Sequence, residues 1–105
     1  MKHSTLNNTP FKVGCSAAEN WKLVADADKE FYWLHMDGGR PSAHVIIEID
    51  CEPTAAELAH AAALCIAQTK TSCKDFVWTQ VRNLQLGGKP GEVIIKKERK
   101  YKYYS

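Results

Sequence analysis

Residues 31–47 read FYWLHMDGGRPSAHVII and contain the strongest structural signal in the chain. Two runs rich in aromatic and β-branched residues flank Gly-Gly-Arg-Pro, a sequence whose residue types favour a turn. Strand-forming runs on both sides of a short turn are typical of a β-hairpin. We therefore predict strands over 31–36 and 44–49, joined by the loop between them.

The predicted hairpin brings two histidines together. If Met36 lies opposite Ala43, the same register places His35 opposite His44, next to Trp33. Directly opposed residues project from one face of a sheet, with Cβ atoms about 4.5–5.5 Å apart. A slip of one residue would send the two rings to opposite faces. The register therefore predicts an imidazole pair at the loop end of the hairpin.

Two helices are predicted on either side of the hairpin, over 17–27 and 55–69. Each begins with a capping box, in which a Ser or Thr side chain just before the helix and a Glu three residues later satisfy backbone amides of the first turn. The two boxes are Ser16 with Glu19 and Thr54 with Glu57. The predicted packing faces consist of Ala17, Trp21, Val24 and Ala25 in the first helix and Leu58, Ala61, Ala62, Cys65 and Ile66 in the second.

The remaining segments resemble strands. Residues 3–13 form two extended pieces around an Asn-Asn-Thr-Pro turn, and further strands are predicted over 75–81 and from 91 onward, separated by the loop 86–91. The element order is ββαββαββ. We therefore predict an α+β fold, a mixed but mostly antiparallel sheet with two helices, in one domain over residues 1–105.

Composition limits the class of protein. The chain has 105 residues, of which 45% are hydrophobic and 25% charged, as expected for one globular domain. The N-terminal sequence MKHSTLNNTP lacks the apolar region of a signal peptide, and no apolar run is long enough to span a membrane. We therefore expect a cytoplasmic protein with no membrane partner and with reduced cysteines.

The histidine pair allows three interpretations. The rings can be structural, hydrogen-bonded at a strand end, or they can form a ligand-contact patch with Arg40 and Ser42 that serves phosphate or base edges. The third interpretation is a metal or acid–base site, which lacks a third ligand because only Asp37 is nearby. The chain contains no nucleophile motif, P-loop or dinucleotide fingerprint. We expect no enzyme activity, metal or cofactor.

Charge is distributed unevenly along the chain. Residues 1–69 carry five Lys/Arg and nine Asp/Glu, whereas residues 70–105 carry nine Lys/Arg and three Asp/Glu. The final segment KKERKYKYYS combines cations with tyrosines, which favours either a solvated edge strand or a surface that tracks phosphates and stacks bases. Nucleic-acid binding by this segment requires that its cations gather on one side of the sheet.

Four segments of the chain, taken in order, resemble the NFACT-R domain, the RNA-binding module of the NEMF, RqcH and fibronectin-binding protein A-like family. The segments are GCSAAENWKLV, FYWLHMDGGRPSAHVII, VWTQVRNL and KPGEVIIKKERKY, and they extend over almost the whole chain. The positions that match the motif of the family are Gly14, Glu19, Asn20, Trp33, His35, Ser42, His44, Thr79, Arg82, Asn83, Lys89, Pro90 and Gly91. The resemblance implies RNA binding in ribosome-associated quality control.

The residues and the resemblance together give an expectation for function. We expect an RNA-binding module for tRNA or ribosomal RNA, including that of the large ribosomal subunit, with DNA as an alternative polyanion. The expected RNA-binding residues are His35, Arg40, Ser42, His44, Arg82, Lys89, Lys96, Lys97, Arg99 and Lys100. An alternative is a protein-interaction adaptor whose exposed final strand extends a partner's sheet. A small enzyme that uses the two histidines is a more distant alternative.

Overall fold

The predicted hairpin lies at the centre of a six-stranded antiparallel sheet. The computed structural model describes residues 1–38 and 41–104. The strands and helices in this part of the chain are β1 (Lys2–Leu6), β2 (Thr9–Val13), α1 (Ala17–Asp26), β3 (Tyr32–Met36), β4 (Val45–Ile47), α2 (Ala55–Thr69), β5 (Asp75–Gln80), β6 (Leu84–Leu86), β7 (Val93–Ile95) and β8 (Arg99–Lys102). A 3-10 turn, Val81–Asn83, joins β5 to β6.

The strand order in the main sheet is β1-β2-β4-β3-β5-β8, and β6 pairs with β7 in a separate small sheet. The α+β class and the order ββαββαββ are confirmed. The segment after residue 91 is divided into two strands, because β7 pairs with β6 whereas β8 pairs with β5 at the edge of the main sheet. One continuous strand could not serve both partners.

The main sheet carries a hydrophobic cluster on each face. Helix α2 packs on one face through its stripe of small residues, and its predicted packing side is confirmed. Helix α1 and the β6–β7 hairpin cover the opposite face, where the buried side chains include Leu23, Val24, Trp33, Ile46 and Val77. Alternate residues of β3, β4 and β5 therefore belong to different clusters, as the two-residue repeat of a strand requires. Neither helix of the described residues is long and apolar enough to span a membrane.

The buried face of α1 differs from the predicted one. Ala17 and Ala25 are exposed, and the buried side chains are Asn20, Leu23 and Val24. The helix is rotated because the amide of Asn20 packs against the end of β2 and the start of β4, contacts that helical periodicity alone cannot reveal. This rotation places a polar group beside the histidine pair.

Candidate functional site

A cleft of about 700 Å³ opens at the loop end of the β3–β4 hairpin. Its walls come from the segment that leads into α1, the ends of β3 and β4 next to their connecting loop, and the last turn of α2. The stretch from residue 89 to residue 98 completes the walls. This volume lies within the range of about 300–1,000 Å³ that is usual for small-ligand sites. Segments distant in sequence therefore meet in one concave surface.

The register of the hairpin confirms the predicted histidine pair. Trp33 pairs with Ile46 and Leu34 with Val45, and the imidazole centroids of His35 and His44 lie 4.6 Å apart. The His35 ring stacks on the Trp33 indole, with centroids 5.4 Å apart and planes 5° apart. Both rings line the cleft.

His44 is a fixed, neutral part of the core. Its side chain is 1% exposed, and its Nδ1 accepts a hydrogen bond of 3.1 Å from Trp33 Nε1. Because the indole N–H can only donate, Nδ1 of His44 carries no proton. Burial and the proximity of His35 lower the pKa of His44 to about 3, although a hydrogen bond to the Gly91 backbone acts in the opposite direction. His44 thereby links the hairpin to the Lys89-Pro90-Gly91 loop.

His35 is less enclosed than His44. Its Nδ1 is 2.8 Å from the backbone carbonyl of Met36, and burial lowers the pKa of its imidazole. The part of the chain that the structure describes contains no group of three His, Cys, Asp or Glu side chains able to hold a metal ion. Both rings are held by hydrogen bonds within the fold, and both line the cleft.

Asn20 supports the wall of the cleft from helix α1. Its Oδ1 accepts from the His44 backbone N–H at 3.1 Å, and its Nδ2 donates to the Ser42 carbonyl at 3.4 Å. The end of β2 is equally close, because a Cβ on Gly14 would lie 2.0 Å from Asn20 Oδ1. Gly14 and Asn20 are thus a matched pair, because a side chain at residue 14 would collide with the Asn20 amide.

The end of α2 adds polar groups that the sequence did not reveal. Thr69 Oγ1 accepts from the Ala43 backbone N–H at 2.9 Å, and Gln68 lines the cleft with a buried Oε1 that has no partner among the described residues. Ser42, on the other side, accepts at Oγ from the Met36 backbone N–H at 3.3 Å. Polar residues in the last turn of a helix usually face solvent, so no local signal marked Gln68 as part of a site.

Lys100 joins the rim of the cleft to β8. Its Nζ lies 3.1 Å from both carboxylate oxygens of Asp37 and 2.9 Å from Glu98 Oε2, and both acidic residues line the cleft. The ion pair with Lys100 is the main reason why the pKa of Asp37 is lowered. This cation is therefore already engaged by two carboxylates.

Arg82 and Arg99, two of the predicted RNA-binding residues, do not line the cleft. Arg82 pairs with Glu30 near the start of β3, at the opposite end of that strand from His35. Arg99 pairs with Glu52, and its guanidinium lies 4.5 Å from the centroid of the Trp78 ring on the α2 side of the sheet. Because Arg99 and Lys100 are adjacent in a strand, they point to opposite faces. The expectation of a single basic face is therefore not met for Arg99.

Three predicted lysines remain available to a ligand. Lys89 lines the cleft, and Lys96 and Lys97 lie in the exposed connection between β7 and β8. None of the three makes an ion pair within residues 1–38 and 41–104. Arg40, the remaining predicted contact, lies outside the described residues.

Comparison with known proteins supports the fold. The chain superposes on the C-terminal part of the fibronectin/fibrinogen-binding protein from Streptococcus suis with a TM-score of 0.83 and 23% sequence identity. The match covers 96% of this chain and 43% of that one, so this chain spans less than half of the matched structure. No protein-family model matches the sequence, and no curated protein matches it. The fold is therefore similar to that of part of the C-terminal structure of a fibronectin/fibrinogen-binding protein.

Proposed function

We propose that this chain is an RNA-binding module that binds an unpaired segment of tRNA or ribosomal RNA across the cleft, without a catalytic step. The observation that carries the proposal is the convergence on one cleft of most motif positions behind the family resemblance. These positions are Gly14, Asn20, Trp33, His35, Ser42, His44, Lys89, Pro90 and Gly91. Unpaired RNA is the form whose bases can enter a concave site. By the same resemblance, the binding would serve ribosome-associated quality control.

Five of the predicted RNA-binding cations fall into two groups in this proposal. Lys89, Lys96 and Lys97 are exposed and have no acidic partner in the described part of the chain, so they can neutralise phosphates. Arg82 and Arg99 are held by glutamates on other parts of the surface, so their contribution would be smaller. Binding through about three phosphate contacts on a single strand gives a log–log salt slope of roughly −2, at about −0.7 per contact.

The test is a charge reversal in the connection between β7 and β8. The double variant Lys96→Glu, Lys97→Glu should weaken binding of tRNA and of single-stranded RNA at least tenfold, because two phosphate contacts become repulsive. Its thermal unfolding should stay close to that of the wild type, since both side chains are exposed. Fluorescence anisotropy over a salt series measures affinity and slope together.

A matched control separates local contacts from net charge. Lys22→Glu with Lys29→Glu makes the same change in net charge at exposed positions outside the cleft, and should weaken binding much less. An equal loss of RNA affinity in both double variants would show that only the net charge of the protein matters, and not contacts at Lys96 and Lys97. RNA binding by the wild type that does not respond to salt would contradict the proposal outright.

A second candidate is protein binding, which the open edge of β8 favours. This strand ends the main sheet and pairs on one side with β5, so its outer backbone groups could add to a partner's strand. The structural neighbour is described as a fibronectin/fibrinogen-binding protein. Binding of this protein to immobilised fibronectin that persists after nuclease treatment and in high salt would support this candidate. Loss of capture after nuclease treatment would instead support RNA as the partner.

A further inference from the structure

One ring nitrogen of His35 faces the cleft without a partner. Among the described residues, the buried side-chain nitrogen or oxygen atoms without a partner comprise only Gln68 Oε1. His35 Nε2 has no hydrogen bond to any of these residues either, and its absence from the buried set means that it is partly exposed. His35 itself lines the cleft. The ring is held in place by the Trp33 indole on which it stacks and by His44. Nε2 is therefore a positioned group.

The contact at the other ring nitrogen fixes what Nε2 can do. The Met36 carbonyl can only accept a hydrogen bond, so Nδ1, at 2.8 Å, must carry the proton. Burial lowers the pKa of His35, which favours the neutral ring near pH 7. A neutral imidazole with its proton on Nδ1 has a free lone pair on Nε2. His35 therefore presents a hydrogen-bond acceptor to the cleft.

Three other lining residues, Asp37, Gln68 and Glu98, also carry acceptor oxygens. Gln68 contributes a buried carbonyl oxygen, and the carboxylates of Asp37 and Glu98 face the cleft, held by Lys100. A wall of acceptors repels a phosphate and attracts N–H and O–H groups. The exposed lysines lie around this wall at Lys89, Lys96 and Lys97. The interior of the cleft suits the base or the sugar of a nucleotide, while its phosphates remain near the lysines at the rim.

We propose that His35 Nε2 accepts a hydrogen bond from an unpaired nucleotide seated in the cleft, donated by an exocyclic base amine or by a ribose 2′-hydroxyl. The assignment rests on the proposed RNA-binding function and goes beyond it, because it names the atom that reads the nucleotide and the chemistry that it reads. The histidine contributes selectivity for a donor group, whereas the lysines contribute phosphate affinity.

The test uses substitutions that remove or replace the role of each ring nitrogen separately. In His35→Asn the amide can still donate to the Met36 carbonyl, but no acceptor reaches the position of Nε2. In His35→Gln a carbonyl oxygen can approach that position. His35→Phe retains a ring on Trp33 without any polar atom. The matched control is His3→Asn, an exposed position on the edge strand β1. Circular dichroism and thermal unfolding establish that each variant is folded.

Binding is measured with oligoriboadenylate, oligouridylate and oligodeoxyadenylate of equal length. Loss of one hydrogen bond should weaken binding about 5–10-fold in His35→Asn and His35→Phe, with recovery in His35→Gln and no change in His3→Asn. If the His35 variants bind both adenylates more weakly but bind oligouridylate as the wild type does, the donor is the base amine. If the variants bind both ribo-oligomers more weakly but bind oligodeoxyadenylate as the wild type does, the donor is the 2′-hydroxyl.

Two results overturn the assignment while leaving RNA binding intact. The first is wild-type affinity in the folded Asn and Phe variants, and the second is an equal loss for all three oligomers. Absence of binding by the wild type to any RNA is a different result, since it overturns the proposed function itself.

Discussion

Asn20 connects three segments of the chain through a single amide group. Its two polar atoms satisfy backbone groups at Ser42 and His44, and its side chain lies directly over Gly14. The amide is almost fully buried, so it cannot move aside into solvent. A polar group buried in this way stabilises the fold only while its hydrogen bonds are intact.

Adding one methyl group at residue 14 tests this arrangement. Gly14→Ala would place a Cβ 2.0 Å from Asn20 Oδ1 and 3.1 Å from the Asn20 backbone nitrogen, so helix α1 or the amide must shift. We expect a loss of about 1–3 kcal/mol in the free energy of unfolding, measured with urea. Gly88→Ala is the control, because a Cβ there meets no atom within 4 Å, and its stability should be unchanged or slightly higher. Equal stability of the two variants would contradict the account of Asn20.

At the scale of elements, local sequence rules accounted for most of the fold. The capping box of α2 is complete, since Glu57 N–H donates to Thr54 Oγ1 at 3.1 Å and Thr54 N–H donates to Glu57 Oε1 at 2.8 Å. In α1, Ser16 caps the Glu19 N–H at 3.2 Å, but the Glu19 carboxylate accepts from Cys15 instead of closing the box. The ends of strands β7 and β8 were not predicted, because they depend on which partner each strand pairs with.

The cap of α2 provides a prediction at this scale. Thr54→Ala should destabilise the protein by about 1 kcal/mol, because the Glu57 N–H loses its partner at the start of the helix that covers one face of the sheet. Thr54→Ser retains the hydroxyl and should remain close to the wild type in urea unfolding. If Thr54→Ser were as destabilising as Thr54→Ala, the methyl group of Thr54 would contribute more to stability than the hydrogen bond that its hydroxyl accepts from Glu57.

At the scale of the whole molecule, His44 ties the hairpin to the loop that closes the cleft. It accepts from Trp33 on β3 and is hydrogen-bonded to the backbone of Gly91, which lies in the loop between β6 and β7. Protonation of His44 would break the bond from the indole, because Nδ1 would become a donor facing another donor. The assembled cleft therefore depends on a neutral imidazole in the core.

Stability should consequently fall with acidification. The pKa of His44 is about 3 in the folded protein and near 6.5 in the unfolded chain, so the unfolded state binds the extra proton between these values. The contribution of His44 is complete above pH 6.5 and disappears as the pH falls towards 3. Between pH 7 and pH 5 the wild type should lose about 2 kcal/mol more than His44→Gln, measured by urea unfolding. Parallel losses in the two proteins would show that His44 titrates normally in the folded state.

Sequence patterns alone predict the fold class, the two helices and the register that makes His35 face His44. Such features follow from periodicity, turn residues and caps, each of which acts over a few neighbouring residues. The tertiary structure alone decided that α1 turns Asn20 inward, that Gln68 joins the cleft and that glutamates neutralise Arg82 and Arg99. These outcomes depend on contacts between residues 24 to 52 positions apart, and local sequence rules contain no information about such contacts.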